Sequence, residues 1–475
     1  MPLTENQGKP GPVIAIVGAG FSGTMVACQL LHSKGPCLDV LLIDRAGSFG
    51  QGLAYGTRDP NHLLNVSARA MSAWPNDPNH LVRWLEQNQA ELAHLLPAGA
   101  DASSYIPREV FGIYLQSILE HAAIQAAGQH RLRRITAELS DLEAIEPSRP
   151  SAASRYRLQF SNGEPIEADR VVLAWGNSAI PLPLRDDPQQ RHGWCADATA
   201  DLDPEASVAL LGTGLTMVDV VVSLRGKGHR GPIVALSRRG HLPNAHLSVS
   251  VAPIGAWLNP EQAPTTLLEL WRLIRMRVAL AEREGHDWRA VIDGLRPINE
   301  KLWQRLSLQE RRRFLRHAAV LWDVHRHRVA PQLHEQLQQL INSGALEIIA
   351  GRLEAKQNRA NQLQLQIRRR GAASSEYLEV DRLITCTGIR LDYARSTQPL
   401  LQRLLQRQQL QADALALGIT TTPQGELVGG NGQVVPGVYT LGPPRRGELW
   451  ESTAVPELRQ QAQELANQIL ISLHV

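Results

Sequence analysis

Two glycine-rich segments contain the residues whose types and spacing most clearly indicate a binding function. The first, Gly18-Ala-Gly20-Phe-Ser-Gly23, follows the apolar run 13–17 and precedes a second apolar run that ends in Asp44. In a strand–helix–strand unit the first glycine permits a tight turn, the second allows a pyrophosphate to approach, and the third allows helix and strand to pack closely. An acid at the end of the second strand accepts hydrogen bonds from ribose hydroxyls. The segment therefore predicts a dinucleotide site.

A second glycine-rich segment, Gly212-Thr-Gly214-Leu-Thr-Met217, repeats this arrangement later in the chain. It also follows an apolar run, 207–211, and precedes another, 233–237. Because Met217 occupies the position of the third glycine, we expect helix and strand to lie further apart here. The repeat predicts a second dinucleotide site.

The charge at the end of the second strand distinguishes the two sites. Asp44 lies 26 residues after Gly18, and the same distance after Gly212 leads to Arg238, which is followed by Arg239. An acid repels a 2′-phosphate, whereas an arginine pairs with it. The first site therefore suits FAD or NAD and the second suits NADP. The alternative for the two arginines is a solvated pair after a strand.

These residues need buried strands and helices to position them. Short β-branched runs next to glycine are typical of buried parallel strands, and a helix is expected after each glycine segment. The sequence predicts strands at 13–17, 39–44, 207–211 and 233–237, and helices at 22–34 and 215–224.

Each module also contains a later pair of predicted strands. The first pair flanks an Asn-Gly dipeptide, which is a strong hairpin signal. The pairs are predicted at 155–161 with 165–174, and at 361–368 with 377–387. The second strand of each pair runs seven residues from an aspartate to a glycine, from Asp169 to Gly176 and from Asp381 to Gly388. A strand that ends in glycine can pass close to a cofactor.

The whole pattern indicates an α/β protein with two Rossmann-like dinucleotide-binding domains. We predict that residues 1–200 and 392–475 form the FAD-binding domain, and that residues 201–391 form the NADP-binding domain. A helical insertion containing four tryptophans is predicted at about 260–342. The last helix is predicted at about 454–473, with backbone N–H groups available in its first turn.

Charge and cysteine content narrow the class of protein. The 49 Lys and Arg residues against 46 Asp and Glu leave a formal net charge of +3, too small a surplus for a nucleic-acid or anionic-membrane surface. The four cysteines form no CxxC pair and no metal-ligand spacing, which argues for a reducing compartment and against dithiol chemistry. With no signal pattern at the start and no apolar stretch of membrane-spanning length, we expect a cytoplasmic protein.

Three further positions invite a chemical interpretation. His325 and His327 lie two residues apart on a predicted helix, so they point in different directions and cannot share a metal ion. Arg326 or Arg328 is a candidate contact for NADPH or an acidic substrate, and the alternative is a solvated helix end. His246 is a candidate general base, because the pKa of histidine lies near neutrality.

Several motifs together resemble a known family, the FAD/NAD(P)-binding flavoproteins that include an FAD-dependent urate hydroxylase and an aspartate N-monooxygenase. The motifs are GAGFSG (18–23), HLLNVS (62–67), WPNDP (74–78), YIPR (105–108) with Tyr114, GTGLT (212–216), SRRG (237–240), WDVHRHR (322–328), LGP (441–443) and LWE (449–451). The resemblance runs nearly end to end and implies a glutathione reductase-like fold. It implies FAD on the first module and the C-terminal segment, and a nicotinamide nucleotide on the second module.

The residues and the resemblance together assign cofactor contacts. Expected FAD contacts are Gly18, Gly20, Phe21, Ser22, Gly23, Asp44, Arg45, Arg108, Gly176, Gly442 and Glu451. Expected NADPH contacts are Gly212, Gly214, Leu215, Thr216, Arg238, Arg239 and Gly388. Flavoproteins of the glutathione reductase type usually have an Asp where this chain has Pro443, which leaves the backbone N–H groups of Gly442 and Gly447 as candidate contacts.

Two polar residues are the candidate catalytic residues. Asn65 and Asp77 flank a loop that lies near the flavin in the family, where they would bound an oxygen pocket; the alternative is turn formation in Asn-Asp-Pro. Arg108 is a candidate contact for a flavin phosphate or a substrate carboxylate, or else a surface residue at a helix start. The N-terminus of the last helix is expected to stabilise negative charge on the flavin.

The resemblance implies an NADPH-dependent FAD monooxygenase that hydroxylates a small polar metabolite through a flavin C4a-hydroperoxide, with O2 as co-substrate. The alternative is an NADPH-dependent flavoprotein reductase or dehydrogenase with a different electron acceptor. A third interpretation is a non-enzymatic redox sensor that binds FAD and NADPH. No metal, nucleic acid or membrane is expected as a partner in any of them.

Overall fold

The computed structural model describes residues 11–145, 155–177, 189–195, 197–249, 251–255, 257–359, 362–388 and 391–473. The chain divides into two compact units. The first unit comprises residues 1–58, 68–181 and 390–475, and the second comprises 59–67 and 182–389. The main boundaries between the units thus lie after residues 181 and 389, whereas the sequence analysis predicts them after residues 200 and 391. The short segment 59–67 packs with the second unit, which local patterns did not indicate.

Strands and helices occur partly in alternation and partly in runs of one type along the chain. Within the described ranges the strands are β1 (Val13–Val17), β2 (Asp39–Asp44), β3 (Arg131–Thr136), β4 (Leu139–Ile145), β5 (Arg155–Phe160), β6 (Ile166–Ala168), β7 (Arg170–Leu173), β8 (Gln190–His192), β9 (Val208–Leu211), β10 (Ile233–Ser237), β11 (Leu346–Arg359), β12 (Gln362–Arg369), β13 (Glu376–Val380), β14 (Arg382–Thr385), β15 (Glu426–Val428) and β16 (Val434–Thr440).

The α-helices of the same ranges include the predicted helical insertion. They are α1 (Phe21–Leu31), α2 (Gly52–Tyr55), α3 (His80–Gln87), α4 (Gln89–Leu92), α5 (Arg108–Ala126), α6 (Leu215–Gly226), α7 (Leu267–Arg283), α8 (Trp288–Gly294), α9 (Asn299–Arg305), α10 (Leu308–His317), α11 (Ala319–Arg326), α12 (Pro331–Asn342), α13 (Pro399–Gln406), α14 (Arg446–Leu449) and α15 (Val455–Leu473). None of these helices has the length and apolar character needed to cross a membrane.

The first unit is built on a six-stranded sheet in the order β15-β16-β7-β1-β2-β3. Strands β16, β7, β1, β2 and β3 are parallel, and β15 pairs antiparallel at the edge. Helix α1 packs against α5 and α15, while β4, β5 and α13 contribute to the core on β1, β2 and β7. The apolar strands of the sheet are therefore buried by helices and by the layer that β4, β5 and α13 form, as expected for a Rossmann-like unit.

The second unit has a seven-stranded sheet in the order β13-β12-β11-β10-β9-β14-β8. The run from β11 to β8 is parallel, and β12 and β13 continue from β11 as an antiparallel ribbon. Central strands β10, β9 and β14 stand in the places that β2, β1 and β7 have in the first unit. The prediction of two Rossmann-like units is confirmed.

The prediction of continuous strands at 165–174 and 377–387 is wrong, because both break at an aspartate. The Asp169 carboxylate accepts a hydrogen bond from Val13 N at 2.8 Å, and the Asp381 carboxylate accepts one from Ser207 N at 2.7 Å. Each aspartate thereby holds the start of the central strand, and the chain passes there from an antiparallel layer into the parallel sheet. Residues before the break pair with the hairpin partner, and residues after it pair with the central strand.

Candidate nucleotide-binding sites

The turn between β1 and α1 requires glycine at two positions. Gly18 has a φ of +106°, and a Cβ there would lie 2.4 Å from the carbonyl oxygen of Ala174 in the neighbouring chain segment. A Cβ on Gly23 would lie 1.9 Å from the carbonyl oxygen of Gly18. These contacts bring α1 close against the sheet, so that its first turn faces the carboxyl ends of the parallel strands.

Gly20 leaves an open backbone surface at the start of α1. It is the N-cap of the helix without a capping side chain, and the only atom within 4 Å of an added Cβ is the Cα of Gly52, at 3.6 Å. Gly52 has a φ of +56°, and a Cβ on it would lie 2.7 Å from Gly20 Cα. Since the first N–H groups of a helix have no intrahelical acceptor, this surface fits a phosphate. Gly52 was not recognised in the sequence; the signal is its place in the Gln-Gly dipeptide at the start of α2.

Asp44 is held in place by backbone donors at the end of β2. Its carboxylate accepts hydrogen bonds from Ala19 N at 3.3 Å, from Ala46 N at 2.9 Å and from Ser48 N at 3.3 Å. An ionised carboxylate has about four acceptor positions, so capacity remains for a ribose hydroxyl. Arg45, the next residue, is exposed.

The C-terminal segment brings a further glycine against the first turn of α1. Gly442 has a φ of +76°, and a Cβ on it would lie 3.2 Å from Ser22 Oγ. Its N–H donates to Gln461 Oε1 at 2.9 Å, and the contact from this N–H to a cofactor stays a prediction. Ser452 is fully buried beside it, and within the described ranges its hydroxyl has no hydrogen-bond partner. An unpaired buried hydroxyl is costly, so this position fits a group that a ligand supplies.

Glu451 and Trp450 lie just before α15. Trp450 adopts a φ of +60°, which is rare for a residue other than glycine, and the Arg446 guanidinium lies 4.6 Å from the centre of its ring. Such conformations cost about 1–3 kcal/mol and concentrate at functional sites. The half-buried Glu451 comes directly after this strained residue, and α15 begins four residues later at Val455.

Arg108 begins α5 beside the segment that contains Gly52. A Cβ on Gly112 would lie 2.4 Å from the Tyr55 carbonyl oxygen, which shows how closely α2 packs on α5. Burial raises the pKa of Tyr55 to about 12, and the charge of Arg108 acts against that rise. The half-buried Arg108 is therefore part of the wall around α2.

The two candidate catalytic residues fall in different units. Asp77 lies in a turn and forms an ion pair with Arg83, which holds the pKa of the carboxyl below its usual range. It lines a cavity of about 610 Å³ together with Gln29 from the C-terminal half of α1 and His32, the C-cap of that helix. Asn65 belongs to the second unit, where its backbone is hydrogen-bonded to His246. Their catalytic roles stay predictions.

The second unit reproduces the glycine turn. Gly212 has a φ of +114°, and a Cβ there would lie 2.6 Å from the carbonyl oxygen of Cys386. A Cβ on Gly214 would have no neighbour within 4 Å, so the N-terminus of α6, which begins at Leu215 and Thr216, is open. The Thr213 hydroxyl hydrogen-bonds Ser237 Oγ at 2.8 Å and so connects the turn to the end of β10.

This turn opens onto a cavity of about 1000 Å³ within the second unit. Arg238 is exposed at its edge, and Arg239 donates to the His317 carbonyl oxygen at 3.1 Å. Seven of the lining residues are arginines and one is an acid, Asp323. The arginines are Arg238, Arg239, Arg316, Arg352, Arg368, Arg369 and Arg370. A concave, strongly cationic space at a helix N-terminus fits a phosphorylated dinucleotide.

Gly176 follows β7 in the first unit, and Gly388 follows β14 in the second unit. Their φ angles are +56° and +77°, and an added Cβ would meet no atom of the described residues within 4 Å at either position. Both therefore combine a left-handed backbone with open space, as a chain segment that passes a cofactor requires.

The helical insertion contains a buried charged cluster rather than a solvated helix end. Arg328 is almost fully buried and forms an ion pair with Asp293, and its guanidinium lies 5.6 Å from the ring centre of Trp288. Arg326 is buried too, so the expectation of a solvated helix end is wrong. Burial and the neighbouring Arg328 lower the pKa of His246 to about 4, which keeps that ring neutral at pH 7.

The described ranges contain potential metal ligands and four free cysteines, of which Cys37 is exposed and Cys28, Cys195 and Cys386 are buried. No group of three or more His, Cys, Asp or Glu side chains there is placed to hold a metal ion. Burial raises the pKa of the Cys28 thiol to about 12 and also raises that of Cys386. Both thiols are therefore unreactive at neutral pH.

Two Rossmann-like units, each with a glycine turn before a helix, are the arrangement that two dinucleotide sites require. Residues 15–178 match the model of a family described as FAD-NAD(P)-binding. The description of that family names FAD and a nicotinamide dinucleotide as cofactors, and two fungal FAD-binding monooxygenases are among the relatives of the chain.

Curated relatives match part of the chain. The FAD-binding monooxygenase trt3 of Aspergillus terreus is 26% identical over 227 residues, which cover 44% of this chain and 32% of that protein. A probable UDP-galactopyranose mutase of Klebsiella pneumoniae is 30% identical over 175 residues, covering 36% of this chain and 42% of that one. The chain thus spans about a third of the fungal relative's length.

Solved structures match nearly the whole chain at low identity, which supports the fold. An ornithine N-hydroxylase from Kutzneria sp. 744 is 16% identical with a TM-score of 0.64, covering 97% of this chain and 99% of that one. An L-lysine 6-monooxygenase from Pseudomonas syringae is 14% identical with a TM-score of 0.62, covering 97% and 100%. A bacillithiol disulfide reductase from Staphylococcus aureus is 11% identical with a TM-score of 0.55, covering 98% and 99%.

Proposed function

We propose that this protein is an NADPH-dependent FAD monooxygenase that hydroxylates a small polar metabolite. The observation that carries the proposal is the contrast between the two glycine turns. The first turn lies beside the carboxylate of Asp44 at the end of β2, and the second opens onto a cavity lined by arginines. A cofactor with free ribose hydroxyls suits the first, and one with a 2′-phosphate suits the second.

The first unit would hold FAD with groups that are already oriented. The open N-terminus of α1 at Gly20 would bind the pyrophosphate, and Asp44 would accept from a ribose hydroxyl. The unpaired Ser452 hydroxyl and the N-terminus of α15 would face the cofactor from the C-terminal segment. When bound, FAD supplies the redox and oxygen chemistry, which protein side chains cannot perform.

The second unit would hold NADPH as the source of hydride. Backbone N–H groups at Gly214, Leu215 and Thr216 would bind its pyrophosphate, and Arg238 would bind its 2′-phosphate. Gly176 and Gly388 would let the backbone pass close to their respective cofactors.

We favour a monooxygenase over a reductase because of the relatives and the thiols. The curated fungal relatives are named as FAD-binding monooxygenases, and structures of the same fold belong to ornithine and lysine hydroxylases. The bacillithiol disulfide reductases share the fold as well, but Cys28 and Cys386 here are buried with raised pKa values. We place the chain with the group that includes FAD-dependent urate hydroxylase and aspartate N-monooxygenase, so amines, amino acids and purines are the substrates to test.

The test measures NADPH oxidation and O2 consumption by the FAD-loaded protein in the presence of amines, amino acids and purines. We expect one substrate class to stimulate both rates and to yield a hydroxylated product in proportion to the O2 consumed. Turnover that proceeds without O2 when another acceptor is added, and no product with O2, would identify a reductase instead. Flavin binding without NADPH oxidation under either condition would leave only the redox-sensor interpretation.

A further inference from the structure

A face of the β11–β12 ribbon carries arginines that sequence motifs did not single out. Arg352 pairs with Arg368 across the two antiparallel strands, and Arg370 N donates to the Ala350 carbonyl oxygen at 2.7 Å. Directly opposed residues share a face of a sheet, as do residues two apart on one strand. Arg352, Arg368 and Arg370 therefore lie on the same face as Ala350.

The turn after β10 packs on this face. A Cβ on Gly240 would lie 3.2 Å from the Cβ of Ala350, so the segment that contains Arg238 and Arg239 sits directly over the ribbon. All of these arginines line the cavity of about 1000 Å³. Residues from β10 and from the ribbon thus surround one space.

The arginines of this face differ in how their charges are compensated. Arg368 forms an ion pair with Glu354 at 2.7 Å. Arg238, Arg352 and Arg370 are exposed, and none of them forms an ion pair with a carboxylate of the described residues. Several like charges around one concave space repel each other unless an anion lies between them.

Strand order indicates which part of a dinucleotide would reach the ribbon. In this fold the pyrophosphate lies at the end of the first strand, here β9, and the ribose at the end of the second, β10. The ribbon begins on the next strand, β11, on the side of β10 away from β9. It therefore borders the adenosine end, where a 2′-phosphate would lie.

We propose that Arg352 and Arg370 bind the 2′-phosphate of NADPH together with Arg238, so that the ribbon is a second determinant of cofactor specificity. The proposal rests on the NADPH site proposed above and adds the residues that a motif search does not reach. The guanidinium groups of Arg352 and Arg370 would contact the phosphate from the ribbon, and that of Arg238 would contact it from the turn after β10. A monoester phosphate carries close to two negative charges, which several arginines can share.

The experiment compares the binding of 2′,5′-ADP and of 5′-ADP to the FAD-loaded protein by calorimetry. The variants are Arg352→Gln, Arg370→Gln and the double substitution. Arg359→Gln is the matched control, because Arg359 is an exposed arginine of the same ribbon whose side chain donates to Gln364 at 2.9 Å. We expect each single substitution to weaken 2′,5′-ADP about tenfold, with 5′-ADP changed less than about twofold.

Two results would overturn the proposal while the wild-type protein still prefers 2′,5′-ADP. Equal losses for both ligands would mean that the arginines stack on adenine, and no loss in the double variant would mean that they do not contact the nucleotide. A wild-type protein without preference for 2′,5′-ADP would instead reject the NADPH site itself. Flavin content and thermal unfolding of each variant report its folding independently of these affinities.

Discussion

The two nucleotide-binding units share a turn but differ in what surrounds it. Gly18 and Gly212 have φ angles of +106° and +114°, and an added Cβ would lie 2.4 Å and 2.6 Å from the carbonyl oxygens of Ala174 and Cys386. In both units an aspartate carboxylate accepts a hydrogen bond at the start of the central strand. Asp169 accepts from Val13 N, the first residue of β1, and Asp381 accepts from Ser207 N, the residue before β9. The scaffold that presents the helix N-terminus is therefore the same.

The differences lie at the third glycine and at the end of the second strand. Gly23 has no space for a side chain, whereas the equivalent Met217 is accommodated and fully buried. Asp44 is held by three backbone donors, whereas Arg238 is exposed at a cavity with six further arginines. On this comparison we propose that the turn makes a generic phosphate site, and that the strand ends and the neighbouring ribbon select the nucleotide.

The largest effect is expected from closing one turn at a time. Gly20→Val and Gly214→Val add side chains that the surrounding protein can accept, since their Cβ atoms have at most one neighbour, at 3.6 Å. Each side chain would fill the phosphate space, so we expect at least a hundredfold loss, about 3 kcal/mol, for the nucleotide of that unit. Flavin absorbance per chain and NADPH titration measure the two losses separately. Loss of FAD from Gly214→Val, or its retention by Gly20→Val, would contradict the assignment.

A smaller effect is expected from the charge that distinguishes the second site. Arg238→Asp removes a charge-assisted phosphate contact and adds repulsion, so the KM for NADPH should rise about tenfold to a hundredfold, or about 1–3 kcal/mol. The KM for NADH should change little, because NADH has no 2′-phosphate. Arg239→Gln is the matched comparison and should have a weaker effect, since that side chain already donates to His317. An unchanged ratio of the two KM values would refute the assignment of NADP to this site.

The smallest effect concerns acid stability, in which the two units should also differ. Burial and Arg328 lower the pKa of His246 in the second unit from 6.5 to about 4. The folded protein therefore binds fewer protons than the unfolded chain in this range, and stability falls as pH decreases from about 6.5 to about 4. At about pH 5 we expect a loss of about 1–2 kcal/mol from this residue.

Urea unfolding at neutral pH and at about pH 5 measures this effect. Loss of nucleotide binding reports the unfolding of the second unit, and flavin release reports that of the first. His246→Gln should reduce the acid sensitivity of the second unit and leave flavin release unchanged. In the first unit burial lowers the pKa of His80 as well, which provides an internal reference. An identical pH dependence in the variant and the wild type would show that His246 does not contribute.

Much of the fold was predictable because its signals are local. The strands β1, β2 and β10 have the predicted bounds, since each is a short apolar run between turn residues. The breaks at Asp169 and Asp381 were not predictable, because the carboxylates act on partners more than 150 residues away along the chain. The ion pair of the buried Arg328 was not predictable either, since its partner Asp293 lies on α8, 35 residues away along the chain.

The sequence by itself determined the two glycine turns and the opposite charges, Asp44 and Arg238, at the matched strand ends. These features depend on backbone conformation and on spacing within one strand–helix–strand unit, which neighbouring residues specify. Only the tertiary structure decided that the Gly442 N–H donates to Gln461, that the buried Ser452 hydroxyl has no partner among the described residues, and that Arg352 and Arg370 join Arg238 around one cavity. Such contacts join residues far apart in the chain, and they arise from the strand order of the sheets and the packing of the helices.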